Sequence, residues 1–182
     1  RCAFHHSFFL ASKTAKDGST YKNLSFPMHI PGQPDKCVGL EERGYPRKDG
    51  SARKGMATGT NASEGLWMAN PKQTALQDAR IVLVFESAYD AMAFYQLQMR
   101  KESGLDQRGR QDLKAGVYVS TGGNPSYGQI QGLLKAAPQA TFHLGFDKDV
   151  AGKQFVANFE DIASKQSPVA PGNVPADMRE FM

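Results

Sequence analysis

Cysteine is scarce. The 182 residues hold two, Cys2 and Cys37, far apart and in no Cys-x-x-Cys pair. The default is a reduced compartment with free thiols. No Cys or His stands at zinc-finger spacing, and the adjacent His5 and His6 point apart on a strand, so packing or surface roles suit them best. No apolar run approaches the length of a membrane span, and no stretch reads as a secretory h-region. The expectation is a cytoplasmic protein with no membrane partner. The small-residue stretch 54–67 has three glycines but no closing Gly-Lys-Ser/Thr, which excludes a Walker loop. The chain starts with Arg rather than Met, so a processed or excised piece of something longer is expected.

What is present allows a real core: 40% hydrophobic residues, 11 of them Phe. The net charge of +4 is modest but uneven. Residues 1–80 carry 12 Lys/Arg against 7 Asp/Glu, or +5; residues 81–182 carry 10 against 11, or −1. A basic first part beside an acidic-centred second part suits an anionic polymer held over a metal-binding site, although surface solubility also produces such an imbalance.

The first 80 residues read as a small β-rich, basic subdomain. Residues 1–12 are aromatic and suit a strand or edge segment. In residues 21–30, Leu24, Phe26, Met28 and Ile30 alternate with polar neighbours, which predicts a half-buried strand; Pro27 places it at an edge. Cys37 to Arg43 reads as the returning strand and Leu66-Trp67-Met68 as another. Between them, residues 43–55 hold Arg43, Arg47, Lys48, Arg53 and Lys54 around Tyr45. Exposed cations interleaved with an aromatic suit a phosphate backbone and a stacked base, and suit a solvated loop about as well. Lys72 to Arg80 is compatible with a short helix.

From Ile81 the pattern becomes regular α/β. Ile81 to Phe85 is a wholly apolar, β-branched run, which predicts a strand buried on both faces of a parallel sheet. A helix over about 88–101 follows, with Tyr89, Met92, Ala93, Phe94 and Leu97 inward, then a charged loop over 104–111. Val117 to Val119 is a second strand. A helix begins at Pro125-Ser126 and stops at Pro138. Thr141 to Phe146 is a third strand, and a helix over about 150–165 carries Phe155, Phe159, Ile162 and Ala163 on one face. Residues 167–182 read as an irregular tail. Strands joined by such helices form right-handed βαβ units.

Parallel strands put their carboxyl ends on one edge of a sheet, where ligands bind in open α/β folds. Glu86 and Asp147 each follow a buried strand and belong to that edge. Asp149 points the same way as Asp147 if the chain stays extended, and Asp90 can lean back from the first helical turn. Converging carboxylates repel unless a cation lies among them, and hard oxygen donors suit Mg²⁺ or Mn²⁺. Helix capping alone accounts for Asp90 or Asp149, but not for Glu86. Gly152 lets the last helix start close to a ligand.

These residues carry a family resemblance. FESAYDAMAFY resembles the first Toprim motif, a glutamate after a strand and an aspartate four positions later. GFDKDVAG resembles the second, Asp-x-Asp followed by Ala-Gly, and Val119 to Gly123 resembles the strand and small-residue turn between them. HLGFDKDVAGKQF together with KGMATGTNASEGLW is similar to primase-like Toprim proteins of bacterial mobile elements. The resemblance implies an α/β fold with a Toprim, Rossmann-like parallel sheet flanked by helices over residues 81–166. It implies Mg²⁺- or Mn²⁺-dependent phosphoryl chemistry on nucleic acid, with Glu86 as general acid/base, Asp147 and Asp149 on the metal, and Asp90 assisting. Arg43, Arg47, Lys48, Arg53 and Lys54 would face that site, and Gly122, Gly123 and Gly152 would bring backbone close to phosphate. The implied activity is primase-type nucleotidyl transfer on single-stranded DNA, in replication or mobilisation of a mobile element. Its partners would be nucleoside triphosphates and a helicase or relaxase of the same element. A metal-dependent nuclease and a non-catalytic nucleic-acid-binding module remain the alternatives. Primases usually carry a zinc ribbon before this region and a further acidic strand after it. This sequence offers neither, in keeping with a piece of a longer protein.

Overall fold

The computed structural model describes residues 3–45, 50–100 and 103–166. Arg47, Lys48, the end of the first expected helix and the tail over 167–182 lie outside them.

The first strands form an antiparallel run. β1 (Phe9–Thr14), β2 (Thr20–Ile30) and β3 (Gln33–Gly44) are joined by turns, β4 (Lys54–Met56) pairs antiparallel with β3, and β5 (Leu66–Ala69) pairs with β2 through Met28 opposite Trp67. Residues 3–7 are a turn rather than a strand, and Phe4 is buried there against the Trp67 and Tyr118 rings. β2 is not an edge strand: it contacts β3 on one side and β1 and then β5 on the other. Pro27 falls where β2 changes partner, between Ser25 paired with β1 and Met28 paired with β5, so no strand residue stands opposite it on that side.

The regular α/β part follows. β6 (Ile81–Phe85), β7 (Val117–Ser120) and β8 (Thr141–Gly145) are parallel, with β6 in the middle. β5 pairs antiparallel with β7, so one sheet of order β4-β3-β2-β5-β7-β6-β8 runs through the described chain. Residue 80, where a boundary was expected, lies between β5 and β6, and the sheet continues across it through the β5–β7 pair.

Two apolar layers cover the sheet. On one face Val82, Val84, Val117 and Val119 meet α3 (Tyr127–Ala136) and α4 (Val150–Gln166) through Ile130, Leu133, Phe155, Phe159 and Ile162. On the other, Phe26, Trp67, Leu83, Phe85 and Tyr118 meet α1 (Ala88–Gln98) through Ala88, Ala91 and Phe94. This corrects the inward face expected for α1. The small alanines approach the sheet, while Tyr89 and Leu97 are exposed, at 43% and 54%, and Ala93 is exposed as well. The expected loop over 104–111 is also corrected. α2 (Gln107–Ala115) forms there because the Asp106 side chain accepts the Gly109 N–H at 2.7 Å and caps it. Its polar composition hid it. Residues 72–80 hold only one 3₁₀ turn, Leu76–Asp78.

A mostly apolar cavity of about 400 Å³ lies beneath α1 and α2, lined by Ile81, Leu83 and His143 among others. It sits towards the amino ends of β6 and β8, away from the carboxyl edge. Burial holds the His143 imidazole below its ordinary 6.5, so folding favours the neutral ring. The unfolded chain takes up the proton first as pH falls, and stability present above 6.5 is lost on the acid side. His143→Phe is expected to flatten that loss, measurable as thermal melts from about pH 7 to about pH 5.

Candidate nucleic-acid and metal site

β6 and β8 pair in register with Phe85 opposite Gly145, so the chains leaving them share one edge. Glu86 emerges directly from β6, with its side chain 26% exposed. Asp147 and Asp149 follow two and four residues after β8, both exposed. Asp90 is exposed in the first turn of α1.

Local bonds shape these groups. The Glu86 carbonyl accepts the Gly123 N–H at 2.9 Å and faces Ser120 Oγ at 3.3 Å, which ties it to the turn after β7. Ser87 caps α1: its Oγ accepts the Asp90 N–H at 3.3 Å and donates to Asp90 Oδ2. Asp149 caps α4, accepting the Gly152 N–H at 2.8 Å. Gly152 itself is required. A Cβ there would lie 1.8 Å from the Asp147 carbonyl oxygen, so α4 starts against the Asp147 backbone. Gly122 has φ +72° and Gly123 φ +127°, conformations that favour glycine. Their amides are engaged within the protein, Gly122 N–H on Ser120 Oγ at 3.1 Å and Gly123 N–H on Glu86. They shape the turn rather than offer free donors to a phosphate.

The donor set is chemically suited to a divalent ion: four carboxylates, with Glu86 and Asp147 on adjacent parallel strand ends. Among the described residues no three His, Cys, Asp or Glu side chains come close enough to hold a metal on their own. Mg²⁺ commonly takes one or two carboxylates and completes its shell with water and phosphate oxygens, so this set fits an ion shared with substrate.

The N-terminal sheet reaches the same edge. In the β3–β4 pair Glu41 stands opposite Met56 and Arg43 opposite Lys54, on the α1 face. Lys54 Nζ comes within 3.9 Å of Glu86 Oε1 and is 65% exposed. Arg53 is exposed beside it. Arg43 differs, since its side chain is only 13% exposed. Its guanidinium donates to Glu41 Oε1 at 3.1 Å and lies 5.7 Å from the Tyr89 ring centroid.

Two buried acids were missed from sequence. Glu41 is 2% exposed and Glu42 fully buried. Burial pushes the Glu41 carboxyl above its ordinary value; Ser120 Oγ–H, the Arg43 charge and the Ala88 N–H pull it back, and the Asp90 charge opposes them. Glu42, on the opposite sheet face, carries the Lys13 ammonium and accepts from Asn23 Nδ2 at 3.4 Å. The only sequence signal was the position of both acids inside a strand; their burial depends on cross-strand neighbours.

Three parallel strands with acidic residues after their carboxyl ends thus continue into an antiparallel N-terminal part, with helices on both faces. A family model described as Toprim-like matches residues 83–180, more than half of the chain, and the chain belongs to that family. Toprim domains generally depend on a divalent metal and serve nucleic-acid processing. Among solved structures the chain is similar to the Aquifex aeolicus primase, zinc-binding and RNA polymerase domains, at 12% identity and a TM-score of 0.48. The similarity covers 83% of this chain and 34% of the primase, so the chain spans about a third of that structure's length. No curated protein matches it. Among the described residues no helix is long and apolar enough to cross a membrane.

Proposed function

We propose that this chain is a primase-type, Mg²⁺-dependent nucleotidyltransferase module acting on single-stranded DNA. The observation that supports it most is the approach of exposed Lys54 to within 3.9 Å of Glu86. That approach sets a cation of the N-terminal sheet against the acidic edge of the Toprim sheet. A phosphate backbone resting on Arg53 and Lys54, with Arg47 and Lys48 nearby in sequence, would cross directly over the carboxylates.

In this reading Glu86 moves the proton of the attacking hydroxyl, and its partly exposed side chain leaves it open to substrate. Asp147 and Asp149 would hold the metal ion, with Asp90 beside them. When bound, that ion supplies charge stabilisation to phosphate oxygens. Gly152 keeps α4 close enough for Asp149 to remain at the edge. Gly122 and Gly123 hold the turn that fixes the Glu86 backbone. Nucleoside triphosphates are the second substrate in this reading.

The test is product analysis on a single-stranded template with labelled nucleotides and Mg²⁺ or Mn²⁺. Label entering oligonucleotides supports the proposal. Shortened DNA instead assigns the same carboxylates to a nuclease. Binding that survives chelation, with neither product, makes the chain a binding module. Asp147→Asn is expected to weaken metal affinity about 10-fold or more, by analogy with the loss of a group supporting a metal site. Isothermal titration with Mn²⁺ measures this; an unchanged titration would remove Asp147 from the metal site.

A further inference from the structure

The five cations of residues 43–54 look equivalent in sequence, yet two that stand opposite each other are treated differently. Lys54 is 65% exposed and reaches Glu86. Arg43, its partner in the β3–β4 register, is 13% exposed and is held by Glu41 and Tyr89. Glu41 is a junction of three elements. It receives Arg43 from β3 at 3.1 Å and Ser120 Oγ–H from β7 at 3.0 Å, and through Arg43 it meets Tyr89 in the first turn of α1. Ser120 Oγ also faces the Glu86 carbonyl at 3.3 Å and accepts the Gly122 N–H. Tyr89, which Arg43 overlies, meets the buried Phe26 ring edge-on at 5.6 Å.

We propose that Glu41 is a positioning residue that locks the N-terminal sheet onto the carboxylate edge, and that it makes Arg43 a strut, leaving Lys54 to meet the phosphate. A buried carboxylate needs its donors, and removing one partner of such a pair leaves the other charge uncompensated. Arg43 is therefore committed in the free protein. Its planar fork also suits a fixed bridge between a carboxylate and an aromatic face, whereas the flexible Lys54 stem suits a moving backbone. The inference depends on the proposed function only for its nucleic-acid half.

Two measurements on the full chain test it. Phenylglyoxal modification, mapped by mass spectrometry, reads arginine accessibility without nucleic acid. Arg53 is expected to react several-fold faster than Arg43, and Glu41→Gln, checked for folding by circular dichroism, should raise the Arg43 rate to that of Arg53. Salt-dependent binding of fluorescent oligo-dT reads phosphate contacts. Lys54→Gln should reduce the log–log slope by about 0.7, one released counterion on a single strand, and Arg43→Gln should leave it at the wild-type value. Arg43 reacting as fast as Arg53 in the wild-type chain overturns the proposal, and so does a slope loss in Arg43→Gln equal to that of Lys54→Gln. Should Glu41→Gln not fold, the wild-type rates and the Arg43→Gln and Lys54→Gln variants, each checked for folding in the same way, still decide. Absence of oligonucleotide binding in every protein would count against the proposed function, while the modification rates would still judge Glu41.

Discussion

Glu86→Gln is expected to lower metal-dependent turnover by about 10²- to 10⁴-fold, the usual contribution of a positioned general acid or base. The substitution keeps the side chain's size and removes its ability to take a proton. Its backbone anchors stay in place, because Gly123 N–H and Ser120 Oγ meet the Glu86 carbonyl rather than its carboxylate. The fold should therefore survive. Lys54 loses an exposed ion partner at 3.9 Å, a contact worth well under about 1 kcal/mol at the surface. DNA binding should thus be unchanged or slightly tighter. Parallel assays of nucleotide incorporation and oligonucleotide affinity separate the two effects. Full turnover in the variant would sink the acid/base role, whereas loss of binding together with turnover would point to a structural one.

Gly152→Ala is expected to be the most damaging glycine-to-alanine substitution among the described residues. The added methyl would stand 1.8 Å from the Asp147 carbonyl oxygen and 2.8 Å from its carbonyl carbon. These are backbone atoms, so no side chain can turn aside. Either α4 shifts or the segment between β8 and α4 is displaced, and both movements carry Asp147 and Asp149 with them. Overpacking of this kind costs about 3 kcal/mol. In a chain of this size that lowers the melting temperature by about 6–12 °C. Metal affinity should fall alongside stability, since the Asp149 cap on the Gly152 N–H depends on the same geometry. Gly18 offers the contrast: a Cβ there meets nothing within 4 Å, although its φ of +83° still disfavours a side chain. A Gly152→Ala protein that melts and binds Mn²⁺ like the wild type would show that α4 need not approach so closely.

How far the sequence could be read follows from how local each signal was. β6, β7, β8, α3 and α4 were legible because burial on both faces or on one helical stripe writes itself into residue order. The acidic edge was legible for the same reason: once the strands are parallel, residues after their carboxyl ends share a side. α2 was not, because a helix with no buried residue leaves only its Asp106 cap as a signal. The inward face of α1 was misread because apolar residues surround that helix, and packing selected Ala88, Ala91 and Phe94 over the larger Tyr89 and Leu97.

The sequence by itself determined the Toprim strand order of events: an apolar run, Glu86, a helix, and an Asp-x-Asp after another strand. These depend on neighbours in the chain. Only the tertiary structure decided which cation meets Glu86 and which is tied down, and that Glu41 lies at the centre of the arrangement. Arg43 and Lys54 stand opposite one another in the β3–β4 register, and β5 pairing with β7 carries that register to the carboxylate edge. Cross-strand register and strand pairing join residues dozens of positions apart, so no reading of local pattern could distinguish the buried Glu41 and Glu42 from solvated glutamates elsewhere in the chain.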